Sequence, residues 1–342
     1  MSLKEISIEI TNQCTQRCRH CSSIGGIPYA DELSLEEVQM VITEAKELGA
    51  HILTLSGGDP CLRSDLFEII EYARSKSFEI RLQTCGVYSF DNKPIISIPV
   101  EFLEKFRKNI GLKDKIVYSL LGLEKSHEST TEMKGSFALV LKSIKKTRAY
   151  NIFTEVHTVA TTLNFEELDS ILKILEKNKV NSWHLLRLVP QGRCLENMEL
   201  VLNKEQFRQL QKTLLTLTSK KVEIYLGHNI DKRYWLDESM PIRSCPIGQD
   251  KILIRPNGDV SFCAALKRKA TENIRIHRLR YCWEKSWDAR NYKLFHEIGA
   301  KFIKGKCHCC SIVDRCRGGC LAQRVHEYGP KIDQGPDPMC FK

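Results

Sequence analysis

The chain has 342 residues, 42% of them apolar, enough for a large core and for about two domains. No run of 18 or more apolar residues occurs, and Met1-Ser2-Leu3-Lys4-Glu5 leads straight into a strand without a secretory signal, so no membrane span and a cytoplasmic location are expected. A formal charge of +10 raises the question of nucleic acid, but no long basic run interleaved with aromatics is present; a solvated lysine-rich surface is the reading, and nucleic acid is not an expected partner. Fifteen cysteines, crowded toward the two ends, suit metal ligation in a reducing compartment better than disulfide staples.

Glu5-Ile6-Ser7-Ile8-Glu9-Ile10 alternates and predicts a strand. Cys14-Thr15-Gln16-Arg17-Cys18-Arg19-His20-Cys21 follows, with thiols spaced four and three apart. Three such ligands hold three corners of a cubane iron–sulfur cluster and leave one iron open to a small chelating ligand; a zinc knuckle is the competing reading. Ser34 with Glu37 predicts a capping box that opens a helix, with an apolar stripe of Val38, Val41, Ile42, Ala45 and Leu48 and a stop at Gly49. The next strand, Ile52 to Leu55, runs into Ser56-Gly57-Gly58-Asp59-Pro60, where two glycines let backbone approach a ligand closely.

The alternation continues with a helix over 65–75, a strand over 79–83 ending in Thr84-Cys85-Gly86, a helix over 100–108 and a strand over 116–120. A helix over 136–150, a strand over 154–159, a helix capped by Asn164 and a strand over 183–189 complete six strand–helix repeats. This predicts an α/β fold: a parallel sheet curled by right-handed crossovers into a partial (β/α)6 TIM-like barrel, with ligands at the carboxyl ends of the strands. Alternation allows His157 and Arg187 each to face the barrel interior, where they would bind substrate or a cofactor carboxylate; the competing reading for each is a buried residue with a satisfied partner. After Gly192 the rhythm breaks. Asn203 caps a helix reaching about Ser219, a strand runs from Val222 to Leu226, and Asp237, Glu238, Pro241 and Arg243 suggest a polar turn. The expected division is a barrel over 1–200, a bridging helix and strand over 201–242, and a cysteine-rich domain over 243–342.

In that last part Cys245 is followed by twelve residues, Gly258, four residues and Cys263; Cys307, Cys310, Cys316 and Cys320 are spaced three, six and four apart, and Cys340 comes last. Asn257-Gly258 predicts a hairpin turn between Ile252–Ile254 and Val260, which brings Cys245 and Cys263 close enough to share one cluster. Zinc also suits paired cysteines at short spacing.

The Cys14/Cys18/Cys21 loop, followed one strand later by Ser56-Gly57-Gly58-Asp59-Pro60, resembles the radical S-adenosylmethionine (SAM) superfamily. His20 fills the aromatic slot before the last cysteine. The seven later cysteines resemble that family's C-terminal SPASM extension. The resemblance implies that Cys14, Cys18 and Cys21 hold a [4Fe–4S] cluster, and that Gly57, Gly58, Asp59 and Pro60, with Ser56, hold the amino group of SAM. Asp59 stands where the family has Glu. Ser119 matches a position near the SAM ribose or carboxylate, and Lys134 lies in a stretch that also matches. For the auxiliary centres, the resemblance implies Cys307, Cys310, Cys316 and Cys340 for one [4Fe–4S] cluster and Cys245, Cys263 and Cys320 for another. The latter would be open at one iron, or take Asp237, Cys194, Cys309 or a substrate atom as its fourth ligand. If ten thiolates hold three clusters of core charge about +2 each, the formal charge falls to roughly +6.

The implied chemistry is reductive cleavage of SAM to a 5′-deoxyadenosyl radical that takes hydrogen from an unactivated carbon, with a low-potential flavodoxin- or ferredoxin-type donor. The expected substrate is a ribosomal peptide or protein that is cross-linked or oxidised. The alternatives are a small molecule such as a tetrapyrrole trimmed at its side chains, or a non-catalytic iron–sulfur protein on the same fold. Ala264 and Ala265 follow Cys263, where the sulfatase-maturing branch has an acid, which argues against that branch. The chain opens at the first barrel strand, so a peptide leader is expected to bind elsewhere or through a separate recognition protein.

Overall fold

The computed structural model describes residues 2–89, 95–242, 245–267, 271–297, 302–329 and 333–342. Its first strand, β1 (Glu5–Thr11), turns Ile6, Ile8 and Ile10 into the core, leaving Glu5, Ser7 and Glu9 on the opposite face. Then follow α1 (Leu35–Glu47), β2 (Ile52–Gly57), α2 (Leu66–Ser75), β3 (Glu79–Thr84), the short hairpin β4 (Val87–Tyr88) and β5 (Ile96–Ser97), α3 (Val100–Asn109) and β6 (Lys115–Ser119). Next come α4 (Glu124–Thr131), α5 (Ser136–Ala149), β7 (Phe153–Ala160), α6 (Leu168–Lys177), β8 (Ser182–Arg187), α7 (Lys204–Thr216) and β9 (Glu223–Leu226). The remainder is β10 (Lys251–Ile254), β11 (Val260–Ser261), α8 (Leu279–Glu284), α9 (Trp287–Glu297), α10 (Val313–Cys316) and α11 (Leu321–Tyr328). No helix among the described residues is long and apolar enough to cross a membrane.

Local chemistry sets several of these bounds. Ser34 accepts the Glu37 amide and Glu37 reaches back to the Ser34 amide, and Asn203 and Gln206 repeat the device at α7. Asn164 does not cap α6, contrary to expectation. Its carboxamide accepts the Thr161 amide and donates to the Leu121 and Val159 carbonyls, tying the ends of β6 and β7 together, and the helix starts four residues later.

Nine strands form one sheet in the order β11-β10-β1-β2-β3-β6-β7-β8-β9. All pairs are parallel except the β10–β11 hairpin. The segment over 201–242 is more than a bridge, since α7 packs beside the sheet and β9 pairs with β8. The polar turn is described to Ile242; Arg243 lies outside the described residues. At the other edge β10 pairs with β1, Glu5 opposite Lys251, so the cysteine-rich part is joined to the barrel through the sheet.

The register separates two faces. Ile6, Leu53, Ile80, Ile116, Val156 and Trp183 lie on the face covered by helices and are buried with Val41, Ile69 and Ile171. Each such side chain contributes roughly 1.5–3 kcal/mol. The concave face is polar. Glu5 accepts from Thr54 and Lys251 and pairs with Arg81, while Glu155 accepts from Lys115 and Ser182. A charged interior is a poor folding core and a suitable wall for a polar ligand cavity.

Candidate functional site

The three-thiol loop leaves the carboxyl end of β1 and is closed by its own backbone. The Cys14 amide donates to the Gly26 carbonyl (3.0 Å), the Gly26 amide to the Asn12 carbonyl (2.8 Å), and the Cys21 amide to the Cys18 carbonyl (3.1 Å). The end of β2 is pressed against it: the Gly58 amide donates to the Thr11 carbonyl (2.8 Å) and the Asp59 amide to the Gln13 carbonyl (2.7 Å). That approach requires glycine. A Cβ on Gly57, whose φ is +138°, would lie 2.1 Å from the Thr11 carbonyl oxygen, and one on Gly58 would lie 2.2 Å from that of Gln13.

The thiols answer to one another electrostatically. Burial pushes the Cys18 thiol well above its ordinary value, and Cys14 and Cys21 add to the shift. Cys14 is held down by a hydrogen bond from Cys85. The Gly25 amide points at Cys21 Sγ, 3.4 Å away. Among the described residues no three thiols bring their sulfurs within 4.8 Å of one another. Tetrahedral zinc at 2.3 Å bonds needs sulfurs about 3.8 Å apart. No three of its sulfurs meet at the spacing tetrahedral zinc takes. Beside it the buried Nδ1 of His20 and Nε2 of His127 have no hydrogen-bond partner among the described residues, as expected of a wall awaiting a ligand.

The expected SAM contacts divide. His20 is part of the loop, and burial lowers its imidazole to about 4, so it is neutral. Ser56, Gly57 and Gly58 are partly exposed at the end of β2, and Ser119 at the end of β6 is the register partner of His157 on the concave face. Asp59 is different. It is fully buried, with Oδ1 accepting the Cys61 amide and Oδ2 accepting Thr84 Oγ1 (2.7 Å), the Cys85 amide and the Cys85 thiol (both 3.0 Å). The shorter acid folds back on the ends of β2 and β3 and presents no oxygen to a ligand; Pro60 is buried with it. Lys134 is exposed in the turn between α4 and α5.

Arg187 corrects a second expectation. It pairs in register with Ala160, on the helix-covered face, and its guanidinium donates to both oxygens of buried Asp337 (2.8 and 3.0 Å) while stacking over Phe207. It latches the C-terminal segment to the barrel and does not line the cavity.

The later cysteines fall into two neighbourhoods. Burial pushes Cys307 up to about 11, with Cys316, Cys340 and Cys310 as further causes. Burial likewise pushes Cys245 up to about 12, with Cys320 and Cys263 beside it. Asp337 gathers the chain here, accepting the Cys320 and Met339 amides. Of the residues considered as a fourth ligand, Asp237 accepts from Ser239 at the surface, Cys194 packs with Leu188 and Leu200, and Cys309 is exposed.

Two features escaped sequence reasoning. Arg193 braces the thiol loop, donating from Nε to the Cys18 carbonyl and from Nη1 to the Gly25 carbonyl (both 3.0 Å), and its amide donates to the Cys21 carbonyl. Lys267, four residues beyond Cys263, reaches into the barrel to pair with Glu9 and also donates to Ser22 and Ser23, just after Cys21. The polar alternation of β1 signals that Glu9 faces inward; nothing local signals its partner.

The sequence model of the Radical SAM superfamily matches residues 8–177. The AdoMet-dependent heme synthase of Oleidesulfovibrio alaskensis is 23% identical over 353 residues, covering 98% of this chain and 86% of that protein. The mycofactocin maturase MftC of Mycolicibacterium smegmatis is 27% identical over 342 residues, covering 98% and 81%. The crystal structure of Streptococcus suis SuiB bound to S-adenosylmethionine superposes with a TM-score of 0.77 at 15% identity, covering all of this chain and 78% of that one. With the family model matching from β1 through α6, across the thiol loop and the glycine pair, the chain belongs to the radical SAM superfamily.

Proposed function

We propose that this SAM-dependent iron–sulfur enzyme modifies a ribosomal peptide or protein, by cross-linking it or oxidising a side chain. The observation that carries the reading is the Cys14/Cys18/Cys21 loop pinned by backbone hydrogen bonds against Gly57 and Gly58 at the mouth of a polar barrel. Cys14, Cys18 and Cys21 would hold the cluster, with His20, Ser56, Gly57, Gly58 and Ser119 around SAM. So loaded, the site gains one-electron reductive cleavage of SAM, the source of hydrogen abstraction from unactivated carbon. Arg193 holds the loop in shape, and the concave face orients the substrate. Cys307, Cys310, Cys316 and Cys340 would hold one auxiliary cluster, and Cys245, Cys263 and Cys320 another; what supports this grouping is their two electrostatic neighbourhoods. The barrel unit would run through residue 242, with the auxiliary domain beyond it. A flavodoxin- or ferredoxin-type donor and a separate recognition protein for a peptide leader belong to the same reading.

Likeness to mycofactocin maturase supports a peptide; likeness to a haem synthase raises a tetrapyrrole. The interior favours the former. Its cations are already matched: Arg81 and Lys251 with Glu5, Lys115 with Glu155, Lys267 with Glu9. The propionates of a tetrapyrrole would have to break those pairs, whereas peptide amides can add hydrogen bonds to them.

Anaerobically reconstituted protein given SAM and dithionite should release methionine and 5′-deoxyadenosine, and replacing Cys14, Cys18 and Cys21 by alanine should abolish both. With a peptide encoded beside the enzyme, the product should be lighter by about two hydrogens when the auxiliary centres accept electrons. Zinc in place of iron, or cleavage that survives the triple substitution, would end this reading.

A further inference from the structure

Deeper in the barrel, away from the thiols, three potential ligands converge. Glu155 and His157 lie on β7 and His184 on β8, with His157 and His184 register partners on the concave face. One carboxylate oxygen of Glu155 and one ring nitrogen of each histidine lie within 4.8 Å of one another. Among the described residues this is the only such group of three.

The contacts leave the right atoms available. Glu155 Oε2 accepts from Lys115 Nζ (2.8 Å) and Ser182 Oγ (2.9 Å), which fixes the carboxylate and leaves Oε1 toward His157 Nε2, 2.8 Å away. The His184 ring stands edge-on to His157, centroids 5.0 Å apart, with Tyr225 on its other side at 6.3 Å. No described residue hydrogen-bonds to the His184 ring, although it is largely enclosed. A simple His157–Glu155 hydrogen bond accounts for two of the three residues and leaves His184 unexplained.

We propose that Glu155, His157 and His184 bind a divalent first-row ion of the zinc or ferrous class inside the barrel. Two imidazoles and one carboxylate are a donor set these ions take, and three protein ligands leave open positions. Lys115 and Ser182 serve as the outer partners that orient the ligating carboxylate. Lys115 also offsets the carboxylate charge. Ser119, an expected SAM contact, is the register partner of His157 on β6, so the site lies beside the expected SAM pocket. There the ion would hold a carbonyl oxygen of a peptide substrate, in keeping with the proposed function on which this role rests.

The test uses full-length protein with its iron–sulfur clusters reconstituted. It is dialysed against zinc chloride and assayed for zinc and iron per chain and by zinc K-edge X-ray absorption. The proposal expects one zinc beyond the cluster iron, with a nitrogen and oxygen shell at about 2.0–2.1 Å and no sulfur at about 2.3 Å. It expects at least tenfold weaker zinc binding in both His184→Ala and His184→Asn, with iron content unchanged; Glu155→Gln should weaken binding as well. No zinc on the wild-type chain, a sulfur shell, or unchanged affinity in the histidine variants would overturn it. Zinc binding is read without SAM, so a failure here leaves the SAM-cleavage reading intact, and the converse holds.

Discussion

Arg187 and Asp337 lie 150 residues apart in sequence and form a two-point ion pair, at 2.8 and 3.0 Å, from which solvent is nearly excluded. Asp337 also accepts the amides of Cys320 and Met339, so a single carboxylate links the last core strand of the barrel to two cysteine-bearing segments. Removing one partner strands the other as a buried charge, at a cost of roughly 3–5 kcal/mol. Asp337→Ala is therefore expected to lower the thermal midpoint by many degrees and to lower auxiliary iron content. The double variant Arg187→Met with Asp337→Leu, which removes both charges, should recover much of the midpoint without the iron. Equal midpoints for the single and double variants would contradict this account.

The close crossing of β2 over the thiol loop predicts a sharp contrast between two glycines. Gly58→Ala places a methyl 2.2 Å from the Gln13 carbonyl oxygen, a backbone atom that cannot swing aside. The cost should reach about 3 kcal/mol or more, the upper range for overpacking, and iron retention should fall with it. Gly26→Ala meets nothing within 4 Å and should leave both unchanged. Iron content after gel filtration and the thermal midpoint report on each.

The barrel was legible because its strands bury one face each, so the period-two pattern of β1 and the capping box at Ser34 speak through neighbours in sequence. The thiol spacing was legible for the same reason. Faces and partners were harder. Alternation says that Arg187 and Leu186 point opposite ways, but not which way is inward; register with Ala160 decides that. The Ser56–Pro60 run marks a ligand turn, yet whether its acid reaches out or folds back depends on Thr84 and Cys85 arriving from β3. Asn164 looked like a cap because Asn often is one; here it joins two strand ends. The pairing of Lys267 with Glu9 closes over 258 residues and leaves no local trace.

Arg193 should govern how firmly the thiol loop keeps its iron. Its guanidinium donates to the Cys18 and Gly25 carbonyls; without it the Cys18 carbonyl keeps the Cys21 amide, while the Gly25 carbonyl left unpaired costs about 1–3 kcal/mol. Arg193→Ala is expected to speed iron loss to a ferrous chelator at least tenfold under anaerobic conditions. Arg193→Lys, which reaches one carbonyl but not both, should fall between. Because the Arg193 amide still holds the Cys21 carbonyl, the loop should not unfold outright, and the thermal midpoint should change less than iron retention does. A chelation rate unaffected by Arg193→Ala would remove this residue from the site.

Buried neutral histidines set the response to acid. Burial lowers His127 to about 4, with His20 adding to the shift, and lowers His228 to about 2, with Lys232 adding. The His127 Nδ1 accepts the Leu121 amide (3.0 Å), a bond only the unprotonated nitrogen can make. In the unfolded chain both rings take up protons near pH 6.5. Between that value and their folded values the unfolded state binds more protons, so stability rises with pH there. The contribution is complete above about pH 6.5 and is lost as pH falls toward 4, beginning before carboxylates such as Glu155, itself held low by His157 and Lys115 against the opposing effect of burial, start to titrate. The thermal midpoint of the holoprotein should accordingly drop between pH 7 and pH 5, and His127→Asn should make that drop shallower. A midpoint that stays level from pH 7.5 to 5 would show that these rings are not the buried neutral groups described.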